Sequence, residues 1–107
     1  MDVIRHGEAR RTEIFAGVFK TPKVVTDALE IIELELVPGA ALDPHDMPCR
    51  VAFFVLEGSG TFTHGASRVQ VPAGDMVHVR PGAVRFWANE GDAPLRILVV
   101  KSLTEKS

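Results

Sequence analysis

The sequence predicts an all-β fold, a sandwich or barrel of short strands. Three observations predict it: apolar residues repeat with period two rather than 3.6, turn residues punctuate the chain at short intervals, and no stretch sustains a helical pattern. The N-terminal part fits least well, and residues 7–15 read as a short N-terminal helix or an arm. The first clear strand is 30–37, where Ile32, Leu34 and Leu36 share one face and Glu33 and Glu35 the other, the alternation of a half-buried strand. Pro38 and Gly39 end it. Residues 51–56, Val-Ala-Phe-Phe-Val-Leu, are apolar on both faces and read as a central strand covered on both sides. The turn 57–60, Glu-Gly-Ser-Gly, follows. Further strands are expected at 61–64, 68–71, 76–80, 84–88 and 95–101, separated by Gly65, Pro72-Ala73-Gly74, Pro81-Gly82 and residues 89–92. The tail 104–107 is expected to fray.

With 107 residues there is room for one domain, 1–107, and 46% apolar against 24% charged residues is enough to bury a core. A net charge of -2 with no basic stripe excludes nucleic acid as an expected partner. The apolar run 51–56 is far short of the roughly 18 residues of a membrane span, so no membrane partner is expected. Cys49 is the single cysteine and cannot form an intrachain disulfide, and charges within residues 1–6 interrupt anything like a secretory leader. A cytoplasmic location is the expectation. The chain has no phosphate-cradling glycine loop, no Gly-x-Ser-x-Gly and no Cys-x-x-Cys, so the better-marked chemistries offer no lead.

Two glycine-bounded segments carry more information. In 39–58, Gly39 is followed by His45, Met47, Val51 and Gly58; in 74–89, Gly74 is followed by Arg80, Gly82, Arg85 and Asn89. In spacing the pair resembles the two motifs of the cupins, small jelly-roll β-barrels also described as double-stranded β-helices. The motif glycines suit turns that need positive backbone dihedrals. The resemblance implies a barrel over about 30–101 and, in the metal-dependent members, a divalent metal held at the positions occupied here by His45, Met47, Val51 and Arg85. Only His45 is of the family's kind. A thioether is a weak soft donor, an isopropyl group donates nothing and a protonated guanidinium repels a cation. The ordinary metal site, and with it any cofactor, is therefore expected to be absent.

Alternation places 45, 47, 51, 53 and 55 on one face and 85 and 87 on another. The expected pocket contains His45, Met47, Val51, Phe53, Arg85 and Trp87, an apolar lining with one fixed positive charge and one imidazole. The leading reading is a metal-free domain binding a small organic anion, a carboxylate or sugar-type ligand. Arg85 would anchor it, Trp87 and Phe53 would pack its body, and His45 would act as hydrogen-bond donor or general acid or base. The plainer reading pairs Arg85 with Glu33, Glu35 or a carboxylate of another protomer, treats Phe53 and Trp87 as core, Met47 as filler and His45 as a turn residue. A second reading holds a divalent or soft transition metal on His45, Met47 and Cys49, which alternate along one face if the backbone is extended. A third is a dimeric interaction module, because a strand apolar on both faces needs a second cover. A homodimer is expected under all three. His78 is read as surface or interface, His64 as a hairpin residue and His6 as solvated.

Overall fold

The computed structural model describes residues 1–104 and is built of nine strands, with no helix among them. They are β1 (Thr12–Phe15), β2 (Val18–Val25), β3 (Leu29–Leu36), β4 (Arg50–Glu57), β5 (Ser59–His64), β6 (Ser67–Pro72), β7 (Met76–Val79), β8 (Arg85–Ala88) and β9 (Leu95–Ser102). One sheet runs β1-β2-β3-β9-β4-β7 and the other β6-β5-β8, and every described pairing is antiparallel. The all-β jelly-roll architecture expected from the sequence is the one observed. No helix is long and apolar enough to cross a membrane.

Strand alternation explains how the sheets meet. On β3, Ile32, Leu34 and Leu36 are buried and pair laterally with Val99, Ile97 and Leu95 of β9. The intervening Glu33 and Glu35 face outward, where they hold Arg96 at 2.8 Å and Arg11 at 3.0 Å. On β4, Val51, Phe53 and Val55 point into the core, while Ala52 and Phe54 are half-buried on the outer face. From the smaller sheet Phe62, Val71 and Trp87 close on these residues. Lateral pairs of this kind, rather than local propensity, set the register of each sheet. The motif glycines Gly39, Gly58, Gly74 and Gly82 all have positive φ, from 81° to 100°, at the turns.

The N-terminal segment overturns the helix alternative of the sequence reading, not the arm. Residues 7–15 contain no helix: after a turn near Gly7 the chain enters β1, which pairs with β2 through Thr12, Glu13 and Phe15. Ala16 and Gly17 make the hairpin turn, Gly17 at φ 75°, and its N–H donates to the Glu13 carboxylate at 3.0 Å. Pairing satisfies the backbone of this segment along a sheet edge, which an isolated helix of this length does not sustain in water. β2 was not expected at all. A bulge between Pro22 and Val24 breaks its alternation, and Pro22 lies past the end of β1, where its missing N–H leaves no ladder bond unmade. Apart from exposed Thr104, the tail expected to fray lies outside the described residues.

Candidate functional site

A cavity of about 230 Å³ opens between the two sheets. His45, Phe53, Arg85 and Trp87, four of the six side chains expected there, line it. The structure brings them together through a short backbone ladder. Residues 39–45 run beside β8, with Leu42 N donating to Trp87 O at 3.0 Å, His45 N to Arg85 O at 3.2 Å and Arg85 N to His45 O at 3.0 Å. This segment serves as an irregular fourth strand of the smaller sheet. It holds His45 directly across from Arg85.

Met47 and Val51 lie outside the lining. The expected extended run from 45 to 55 is interrupted by a bend at Pro48 and Cys49, and β4 begins only at Arg50. Val51 is fully buried in the core and Met47 packs against it half-buried. The same bend separates the three donors of the soft-metal reading, leaving His45 exposed and Cys49 buried. Among the described residues, no three His, Cys, Asp or Glu side chains are grouped to hold a metal ion. The divalent site implied by the fold fares no better, since its four positions offer one imidazole, one thioether displaced from the cavity, one alkyl group and one guanidinium. These residues do not fit a metal ion.

Arg85 is 2% exposed. Its Nη1 donates to His45 O at 3.2 Å, and among the described residues no carboxylate lies within ion-pair distance. The expected pairing with Glu33 or Glu35 is overturned, because both sit on the outer face of the larger sheet with arginines of their own. Burial pulls the Arg85 guanidinium below its ordinary pKa, with the negative charge of Asp46 acting against that shift. Asp46 is otherwise occupied, accepting from Gly82 N at 3.0 Å and so fastening the 80–84 turn to this end of the barrel.

The apolar part of the cavity is an aromatic trio. Phe62 and Trp87 have ring centroids 4.8 Å apart, and Phe53 lies 5.6 Å from each. The Arg85 guanidinium carbon is 5.8 Å from the Phe53 centroid. Trp87 is 1% exposed and its indole N–H is buried without a hydrogen-bond partner among the described residues. His45 Nδ1 donates to Asp43 O at 3.0 Å; a carbonyl only accepts, so the neutral ring keeps its lone pair on Nε2. Ile14, Phe15, Lys20, Asp43 and Lys101 also line the cavity and were not foreseen. Four of these five depend on strands or pairings the alternation did not reveal. Lys101 and Glu30 form an ion pair of 3.2 Å. His64 and His78 are exposed, as expected, and so is His6.

A double-sheet β-barrel with a single-chain pocket between its sheets, built from two glycine-bounded motifs, defines the class. The chain belongs to the cupin family: the cupin domain model matches residues 32–101. Solved structures agree on the fold. KdgF from Halomonas sp. superposes with a TM-score of 0.84 at 14% identity, covering 95% of this chain and 94% of that one. An RmlC-like cupin from Shewanella frigidimarina gives 0.85 at 16%, covering 98% and 94%. A predicted oxalate decarboxylase from Thermotoga maritima gives 0.84 at 23%, covering 95% and 99%. No curated protein matches the chain.

Proposed function

We propose that this cupin domain binds a small organic anion in the barrel pocket without a metal ion. The observation that carries this reading is Arg85: a buried guanidinium on an apolar cavity, with most of its donors unused and no carboxylate bonded to it among the described residues. Taking such a charge out of water is costly, and an incoming carboxylate that accepts two N–H bonds offsets that cost with the strongest pairing available to it. Phe53, Phe62 and Trp87 then pack the ligand's apolar body. Where the bound anion reacts, His45 Nε2 is the group to move its proton.

Thermal shift against a panel of small carboxylates tests the reading on untagged protein. A ligand at 100 times its Kd should stabilise the domain by about 2.7 kcal/mol, on the order of 10 °C in Tm. Arg85→Met should lose that shift while its unligated Tm stays equal or rises, because an unpaired buried charge has been removed. A shift that survives in Arg85→Met counts against the anchor. Elemental analysis of the same protein should find no stoichiometric transition metal, and finding one would end the metal-free reading.

A further inference from the structure

Resting on that anion-binding reading, we propose that the preferred ligand is a dianion, a short dicarboxylate with an apolar middle, Arg85 taking one carboxylate and Lys20 the other. Lys20 is cross-paired with Leu34, which is buried on the inner face of the larger sheet, so the lysine stem enters the barrel wall between Val18 and Pro22. An alkyl side chain is the default at such a position. Lys20 is half-buried, lines the same cavity as Arg85, and makes no hydrogen bond or ion pair among the described residues. Lys101, the other lysine on the lining, is held by Glu30.

Three features of the cavity turn this into a ligand class. Its lining has three cationic side chains, Lys20, Arg85 and Lys101, against the single carboxylate of Asp43 at the exposed rim. The two cations without a carboxylate partner come from opposite sheets, β2 and β8, and Ile32, Leu34, Phe53 and Val99 line the cavity with them. A polyhydroxylated ligand would leave hydroxyls without partners against that wall, whereas a methylene chain suits it. The volume is below the usual range for drug-sized ligands and equals roughly eight water volumes, the size of a molecule with about eight to ten non-hydrogen atoms. Dicarboxylates of four to six carbons have that size.

Titration calorimetry at low ionic strength tests this with the full chain and matched probes: succinate against butyrate, glutarate against pentanoate, adipate against hexanoate. At least one dicarboxylate should bind tenfold or more tighter than its partner. Lys20→Met and Lys20→Gln should bring that ratio to within about twofold by weakening the dicarboxylate much more than the monocarboxylate, and Lys23→Met, on the same strand but outside the cavity, should keep it. A wild-type ratio near one, or a ratio that survives in folded Lys20 variants, overturns the dianion while monocarboxylate binding through Arg85 stands. If no carboxylate binds, or Arg85→Met binds them like wild type, the anion site itself falls and the dianion with it.

Discussion

Asn89, the last residue of the second motif, shows what one buried amide does for the barrel. Its Nδ2 donates to Leu36 O at 2.9 Å and Ala93 O at 2.8 Å, and its Oδ1 accepts from Gly91 N at 3.0 Å. The side chain thus closes the 89–94 loop on itself and ties it to the end of β3. Asn89→Ala should cost about 2 kcal/mol in chemical denaturation, because the buried Leu36 carbonyl and the part-buried Ala93 carbonyl lose their donor. Asn89→Asp sets carboxylate oxygens against those carbonyls and should be at least as damaging at neutral pH. Such a carboxyl titrates above its unfolded value, so the Asp variant should regain stability as pH falls and lose it as pH rises through that folded value. Gly60 is constrained differently: a Cβ there would meet the Trp87 ring at 2.7 Å and Leu95 Cδ2 at 2.9 Å. Gly60→Ala should push the indole into the cavity at a cost of about 1–3 kcal/mol. Trp87 is the sole tryptophan, so its fluorescence reports that displacement directly.

At the scale of elements, the β5–β6 hairpin is tied to the 89–94 loop by Glu90, whose carboxylate accepts from Arg68 and from Thr61 Oγ1. The Arg68 hydrogen bond, then that of Thr61, holds the Glu90 pKa below the ordinary carboxylate value. A lowered folded pKa contributes stability that is present at neutral pH and disappears as pH falls through that value. Glu90→Gln should therefore flatten the acid limb of a Tm-against-pH profile. The effect should be small and vanish in high salt, because the pair is exposed. The strands themselves differ in how far they could be read. β3 was legible from its alternation, β4 from an apolar run bounded by turn residues and β9 from its place after the 89–92 turn, as was the juxtaposition of Arg85 and Trp87, two residues apart on β8. β2 was not, since Lys20 and Pro22 occupy inward positions and the bulge then reverses the pattern. With β2 went Lys20, and with β1 went Ile14 and Phe15. Met47 was misplaced because the chain bends at Pro48 and Cys49 before β4, which breaks the alternation assumed from 45 to 55.

At the scale of the whole molecule, the outer face of the larger sheet is the part that the barrel leaves half-finished. Two lateral rows cross it: Met76, Phe54 and Leu98 on β7, β4 and β9, then His78, Ala52, Val100 and Ile31 across β7, β4, β9 and β3. Met76 is 60% exposed and Phe54, Leu98 and Val100 are half-buried. A strand apolar on both faces fits a sheet covered on both sides, and an apolar patch bordered by ion pairs such as Arg96–Glu33 is the ordinary make-up of a subunit contact. A second copy of the chain would supply a matching surface under a two-fold axis, and the dimer expected from the sequence is tested there. Sedimentation equilibrium at micromolar concentration should return the mass of two chains. Met76→Glu, on an exposed side chain whose loss leaves the fold intact, should shift the population toward one chain, and Phe54→Glu should do so more completely at some cost to stability. Ligand binding by the monomeric Met76 variant should equal wild type, because every cavity residue comes from within one barrel. A wild-type protein that sediments as a single chain would leave the patch without a partner and remove the dimer from all three readings of the sequence.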